Sequence, residues 1–171
     1  MRAMTSLANA LFHIALTAWA GMLWSIGYLV VPVLFYTQER MLAGEIAGHL
    51  FAASGWAGLA LGGYLLLMLL SRQGLKGSLR TLAFWLTALM LILTAVSLFG
   101  IQPFMAHLKE NALPLDVMRS PLRERFVTWH GIASSLYLLQ SLLALALTLR
   151  VNFGKPVQQC RTAFQPLFPT G

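Results

Sequence analysis

A stripe of polar side chains on one predicted helix is the first feature of the sequence that could support chemistry. His130, Ser134, Tyr137 and Ser141 follow one another at intervals of four, three and four residues. That spacing places the four side chains on one face of an α-helix. Because the rest of the segment is apolar, we expect this face to turn toward other helices or a cavity rather than toward lipid. These residues either line a path for a ligand or hold helices together through hydrogen bonds, and the sequence leaves both interpretations open.

The four histidines are the residues that could bind a metal ion or a haem. His49, His107 and His130 lie at the same end of their predicted helices, whereas His13 lies toward the opposite end of the first helix. With a rise of about 1.5 Å per residue, His13 and His130 are about 15–25 Å apart, too far to share one haem iron. His13 is therefore a separate ligand candidate, and an outer site for copper, zinc or haem b at the other three is an alternative. No two histidines have the spacing of a preformed helical site, so no cofactor is predicted.

Conventional catalytic motifs are missing from the sequence. It contains no phosphate-binding glycine loop, no nucleophile elbow and no zinc-protease helix. The single cysteine, Cys160, permits neither an intramolecular disulfide nor a metal site built from several cysteines. These features favour a non-enzymatic protein and leave enzymatic activity uncertain.

The elements that must position these residues are four long segments without charge. Of the 171 residues, 58% are hydrophobic and only 10% are charged, against about 25% charged in soluble proteins. This composition excludes a disordered, a fibrous or an ordinary soluble chain. Uncharged runs cover residues 3–38, 46–71, 81–108 and 126–149. Each run is longer than the roughly 20 residues with which a helix crosses a membrane.

We therefore predict an all-α protein, an integral membrane bundle of four helices that run alternately up and down. The helices are predicted at about 5–37, 45–70, 80–106 and 122–149, within a transmembrane domain that covers residues 1–150. Pro32 marks the point where the first helix kinks or loses its regular form. The tail over 151–171 contains three prolines and is predicted to be cytoplasmic and mostly irregular.

The first apolar run has a second interpretation, as a cleaved signal peptide. Arg2 would form its basic end, and Ala18, Trp19 and Ala20 match the small-residue pattern of a cleavage site. The apolar stretch continues without a break to Tyr36, however, which favours an uncleaved membrane helix.

The formal charge of +7 is distributed unequally between the two ends of the predicted bundle. One end has seven basic residues and no acidic one: Arg2, Arg72, Lys76, Arg80, Arg150, Lys155 and Arg161. The other end has five basic and five acidic residues. By the positive-inside rule, both termini are predicted to be cytoplasmic in a multi-pass protein of the cell inner membrane. The predicted partners are the lipid bilayer and, at the basic end, anionic headgroups, so a nucleic acid is not needed to explain the charge.

Glycines crowd the second predicted helix and indicate close packing of helices. Gly44 with Gly48, and Gly58 with Gly62, have the four-residue spacing that lets two helix backbones approach each other. The spacing suits packing inside the bundle, which we favour, or a dimerisation face. A homo-oligomer or a membrane complex therefore stays open.

Two segments carry a resemblance to a known family. Residues 12–35 include His13, Trp19, Gly21, Pro32 and Phe35. Residues 123–140 include Phe126, Trp129, His130 and Gly131 in the pattern F-x-x-W-H-G, followed by Ser134 and Ser135. Over roughly residues 7–150 the chain resembles small four-helix membrane proteins catalogued as a domain of unknown function. Their eukaryotic branch carries a TMEM-type name and is associated with resistance to platinum drugs. This resemblance implies a four-helix integral membrane protein and no established chemistry.

A fainter likeness links the first helix to copper-resistance membrane proteins and to the membrane protoporphyrinogen oxidases, through its order of His, Trp and Gly. In those haem enzymes an arginine is expected after the proline, whereas Val33 follows Pro32 here. The departure argues against a haem enzyme.

Together these features predict a non-enzymatic inner-membrane protein that acts in transport, in resistance or in the assembly of a membrane complex. A membrane redox protein that binds haem or a metal through its outer histidines is one alternative. A purely structural membrane subunit is the other.

Overall fold

Uncharged segments of this length form helices because a backbone group in lipid must find its hydrogen-bond partner within its own segment. In the computed structural model, which describes residues 2–112 and 117–153, four helices are long and apolar enough to cross a membrane. They are α1 (Leu7–Thr37), α2 (Arg40–Ser78), α3 (Leu82–Glu110) and α4 (Arg123–Phe153). The helical backbone of α1 already starts at Arg2, and a 3-10 turn, Val117–Arg119, precedes α4. The described residues contain no strand.

The four helices are arranged as an up-down bundle. α1 packs against α2 and α4, and α3 packs against the same two helices from the other side. Because short connections join consecutive helices, each one runs antiparallel to the helix before it. The prediction of an all-α membrane protein built from four helices is confirmed.

Two of the helices, α2 and α4, extend at both ends beyond the apolar runs from which they were predicted. α2 begins at Arg40 instead of near residue 45, and it ends at Ser78 instead of near residue 70. α4 continues to Phe153, so its last turn occupies the start of the segment predicted to be irregular. Only the part of a helix that lies in lipid has to be apolar, and polar turns can therefore prolong it at either end. The remainder of that tail, 154–171, lies outside the described residues.

Two of the helices widen where a proline follows. π-helical turns span Ile26–Val30 in α1 and Ser97–Ile101 in α3. Pro32 and Pro103 come two residues after these turns, and in a regular helix each proline ring would collide with the carbonyl four residues earlier. The wider turn relieves the collision by letting the preceding N–H group bond five residues back. Regular helix therefore gives way just before Pro32, as the sequence predicts.

An apolar core fills the half of the bundle that lies toward the predicted basic end. It includes Phe12, Leu16, Trp19, Leu65, Leu69, Phe84, Met90, Ala144 and Leu147. Around the level of Trp19 and Leu23, polar side chains join the interior and line a cavity, while apolar residues such as Leu98, Ile101 and Leu108 are buried farther toward the other end. The interior of the bundle is thus largely apolar, with polar side chains gathered around a cavity near its middle.

One glycine pair of α2 lies inside this core. Gly58 and Gly62 are buried, and they face the indole of Trp19 from α1, which is only 1% exposed. A Cβ atom placed on Gly62 would lie 2.6 Å from Cη2 of that indole. The favoured interpretation of this pair, packing inside the bundle, is therefore confirmed, whereas Gly48 has open space around it.

The connection between α2 and α3 is a fixed turn. Gly74 has a φ of +65°, which breaks the regular helix near the end of α2. Beyond it, the fully buried Ser78 donates its hydroxyl to the carbonyl of Leu69 at 2.9 Å. Thr81 donates its own hydroxyl to the carbonyl of Ser78 at 2.8 Å. These hydrogen bonds hold the turn against the end of the bundle.

Replacing Gly74 by alanine is expected to lower the free energy of unfolding by about 1–3 kcal/mol, because a Cβ atom is strained at positive φ. Gly48→Ala is the matched control, since Gly48 lies in regular helix with open space around it and should tolerate the methyl group. Unfolding in a titration with a denaturing detergent measures both variants. Equal free energies for the two would contradict the assigned backbone conformation.

Candidate functional site

Only half of the polar stripe predicted on α4 faces the interior of the bundle. Ser141 is 5% exposed and Tyr137 is half-buried, whereas His130 and Ser134 are exposed. The expectation that the whole stripe faces inward is therefore wrong for its outer half. The buried face of α4 is centred on Gln140, Ala144 and Leu147, about a quarter turn away around the helix.

Tyr137 connects α4 to the two helices beside it. Its hydroxyl donates a hydrogen bond to the carbonyl of Leu23 in α1. Its ring makes edge contacts with Phe51 of α2, at 5.3 Å between centroids, and with Tyr28 of α1, at 6.2 Å. Gly27 lies directly under the ring and leaves the space that it occupies. Tyr137 thus holds α1, α2 and α4 together at one level of the bundle.

Gln140 is the polar side chain most deeply placed in α4. It is 5% exposed, and its amide Nε2 donates to Thr94 Oγ1 of α3 at 2.6 Å. Thr94 in turn donates to the carbonyl of Met90 at 2.8 Å, which leaves its hydroxyl oxygen to accept from the amide. No described residue donates to the carboxamide oxygen of Gln140. That oxygen is an acceptor with no described donor, on a side chain that lines a cavity.

The cavity lies between all four helices, near the middle of the bundle. Its walls comprise Trp19, Leu23, Phe51, Ser54, Gly55, Thr94, Ser97, Gln102, Tyr137 and Gln140. It has a volume of about 30 Å³ and is partly open. Because a water molecule needs a cavity volume of about 10–15 Å³, this cavity admits one or two waters. None of its lining residues is charged.

Several of these residues were not singled out from the sequence. The spacing of polar residues does not identify Gln140, Gln102 or Ser54, although two amides within uncharged runs are a usable signal. Thr94 shares one face of α3 with Thr87 and Ser97, by their spacing of seven and three residues. Thr87 and Thr94 bond back to their own helix, as hydroxyls in helices commonly do. Thr94 and Ser97 also line the cavity.

The histidines are dispersed over the bundle. Asn111 lies against the ring of His107, at 2.8 Å from Nδ1, and His130 stacks on Phe126 with ring planes 9° apart. His49 is exposed, and His13 contacts the ring of Phe12 edge-on. Among the residues that the structure describes, no three His, Cys, Asp or Glu side chains are grouped to hold a metal ion. A copper, zinc or haem site at His49, His107 or His130 stays a prediction.

Thr94→Val is expected to cost about 1–3 kcal/mol in the free energy of unfolding, because it leaves the buried amide of Gln140 without its acceptor. Thr87→Val is the matched control, since its hydroxyl bonds only to its own helix and lies away from the cavity. That control should change the free energy by less than about 1 kcal/mol. Similar losses in both variants would show that the interhelical hydrogen bond adds nothing.

A comparison with known protein families assigns the chain to one of them. The model of the domain of unknown function DUF4149 matches residues 14–113, which is more than half of the chain. The chain belongs to the DUF4149 family. In this DUF4149 protein the matched range holds Trp19, Gly62 and Thr94, and it ends before α4 and its Gln140. The predicted resemblance to a family catalogued as a domain of unknown function is therefore confirmed, while the eukaryotic branch and the copper-resistance likeness stay predictions.

No curated protein and no solved structure gave a significant match to this DUF4149 protein.

Proposed function

We propose that this membrane protein moves a small, uncharged polar solute across the bilayer through its central cavity. The observation that carries the proposal is the carboxamide oxygen of Gln140, which accepts no hydrogen bond from a described residue although its side chain lines the cavity near the middle of a membrane-spanning bundle. An acceptor that no protein group satisfies gains a hydrogen bond only from a molecule that enters beside it. A solute that donates a hydrogen bond satisfies it.

The size and charge of the cavity define the class of solute. A volume of about 30 Å³ suits water or a molecule only slightly larger. An ion entering the cavity would lose its hydration shell and find no charged side chain on the walls to replace it. The proposed solute is therefore neutral, and it carries at least one hydrogen-bond donor.

Stopped-flow light scattering on proteoliposomes tests this function with water and formamide as probes. We expect both probes to equilibrate faster than in protein-free liposomes, and Gln140→Leu to return the rate to that of the protein-free liposomes. Thr87→Val should keep the accelerated rate, because Thr87 does not line the cavity. Equal rates with and without the wild-type protein would overturn the proposal. A purified protein with a haem absorption band that His130→Ala abolishes would favour the redox alternative instead.

We also propose that the protein resides in the cell inner membrane with both termini in the cytoplasm. The proposal is supported by the basic residues at the end that holds the α2–α3 turn, since loops rich in Lys and Arg tend to stay cytoplasmic. Alkaline phosphatase fused after Arg80 should then be inactive. Fusion after Glu110, at the opposite end, should be active, and the reverse pattern would overturn the orientation.

A second candidate function, assembly with another copy of this chain, is favoured by the outer face of α4. His130 and Ser134 are exposed there about two and three turns below the start of the helix, where lipid would surround them. Beside them, Gly131 has open space above it and Ser135 already bonds its hydroxyl to the carbonyl of Gly131. Two small residues at this spacing let a second helix approach closely.

Cysteine cross-linking in native membranes tests the assembly. In a Cys160→Ser background, Ser135→Cys should yield a covalent dimer, whereas Ile92→Cys, on the exposed face of α3, should not. A monomer from both variants would exclude a dimer through α4.

A further inference from the structure

The two ends of the bundle differ in charge. At the end with the α2–α3 turn, the described side chains Arg72, Lys76, Arg80 and Arg150 are exposed, and no described acidic residue lies there. At the opposite end, four described basic side chains are balanced by four acidic ones, namely Arg40, Lys109, Arg123 and Arg125 against Glu39, Glu45, Glu110 and Glu124. Among the side chains that the structure describes, a net positive charge is therefore found at one end and not at the other.

The turn that carries Lys76 and Arg80, which begins at Gly74 just after Arg72, is held in place. Ser78 is fully buried and bonds to Leu69, and the backbone N–H of Arg80 donates to the carbonyl of Gly77 at 3.2 Å. Arg72 lies over the ring of Phe12, with its guanidinium carbon 5.3 Å from the ring centroid. A surface whose backbone is already ordered binds its ligand at a lower entropic cost.

An exposed tryptophan indicates that the turn lies at the level of the lipid headgroups. Trp85 is 57% exposed, one turn into α3, and its indole N–H donates to the carbonyl of Leu79 in the turn at 3.0 Å. Tryptophan prefers the boundary between hydrocarbon and headgroups, where its ring is in apolar surroundings and its N–H is bonded. The cations at 72–80 then lie where the phosphates of the bilayer are.

We infer that the α2–α3 turn is a binding surface for anionic phospholipid headgroups. Lys76 and Arg80 contact the phosphate and the negative charge of the headgroup, while Trp85 lies against the acyl chain beside it. Arg72 adds its charge from α2. The occupant is a lipid rather than a soluble anion, because only a lipid satisfies the cations and the exposed indole together. This inference does not depend on the proposed transport function.

Titration of the full-length protein in a neutral detergent tests the inference. The probes are short-chain phosphatidylglycerol and phosphatidylcholine with identical acyl chains. We expect tighter binding of phosphatidylglycerol, weakening as salt is raised. A surface cation contributes about fivefold to the affinity for an anionic lipid, so Lys76→Gln with Arg80→Gln should weaken binding about 25-fold. Both side chains are exposed, so the fold should persist.

The matched control is the pair Arg123→Gln and Arg125→Gln, which removes the same charge at the opposite end of the bundle. It should leave the affinity for phosphatidylglycerol unchanged. Equal affinity for the two lipids would overturn the inference, as would an equal loss in the control pair. Full displacement of the lipid by millimolar inorganic phosphate would also overturn it, since a free anion would then be the ligand.

Discussion

Substituting Gly62 by alanine is expected to lower the free energy of unfolding by about 1–3 kcal/mol, the usual cost of overpacking a core. The new Cβ atom would lie 2.6 Å from Trp19 Cη2 and 2.8 Å from Leu91 Cδ2. The indole is rigid and almost fully buried, so it cannot turn aside without displacing α1. In lipid the helices are held together mainly by such close packing, which makes the bundle sensitive to one methyl group.

Gly63→Ala is the matched control, because Gly63 is the next residue of α2 and has nothing within 4 Å of its added Cβ atom. It should leave the free energy of unfolding unchanged or raise it slightly, since alanine favours helix over glycine. Trp19→Phe removes the indole atoms that collide and leaves only the contact with Leu91, so it should reduce the cost of Gly62→Ala when both are combined. Costs that simply add in the double variant would contradict direct packing of Trp19 on Gly62.

Substituting Gly27 by alanine is expected to have an effect at least as large, about 3 kcal/mol, because the added methyl group would overlap the ring of Tyr137. It would also lie 2.9 Å from the phenol oxygen that donates to Leu23. Moving the ring away breaks that hydrogen bond and disturbs the contact with Phe51. Since Tyr137 and Leu23 line the central cavity, solute passage in proteoliposomes should fall as well.

Gly21→Ala, in the same helix, controls for the general effect of a methyl group on α1, since its Cβ atom would meet nothing within 4 Å. Combining Gly27→Ala with Tyr137→Ala separates a local collision from a disturbed helix. In that background the cost of Gly27→Ala should disappear. If it persists, the sensitivity of Gly27 arises from the π-helical turn around it and not from the tyrosine.

The position of Trp19 links these packing sites to the proposed function. Trp19 belongs to the apolar core with Leu65, Met90 and Leu147, which holds the helices together. It also lines the cavity with Gln140. A variant that shifts Trp19 should therefore alter stability and solute passage together.

The four helices could be predicted from the sequence because the physical rule behind them is local. A charge in hydrocarbon is costly, and a segment that crosses the membrane is therefore recognisable in the sequence as a long run without charged residues. The location of the basic residues at one end of the bundle follows from the same runs. Short connections make consecutive helices antiparallel, so the N-terminus and the connection between α2 and α3 lie at the same end. Pro32 could be identified as an irregular point because the missing N–H group acts on its own helix.

The inward face of α4 could not be predicted in the same way. The helix exposes apolar side chains to lipid as well as to the core, so hydrophobicity does not mark which face is inside. The spacing of His130, Ser134, Tyr137 and Ser141 placed them on one face but did not say where that face points. Contacts with α1 and α3 decide that Gln140 is at its centre.

The sequence by itself thus determined that this is a four-helix membrane protein with one basic end, because charge and segment length act along the chain. Tertiary structure alone decided which residues pack against each other and which form hydrogen bonds between helices. Gly58 and Gly62 admit Trp19, whereas Gly48, with the same residue type and spacing, faces open space. Gln140 donates a hydrogen bond to Thr94, which is 46 residues away in the chain, and its side chain lines the cavity. The carboxamide oxygen of Gln140 has no described donor. Such pairings depend on the rotation of each helix against its neighbours, and that rotation is set by packing between residues distant in the chain.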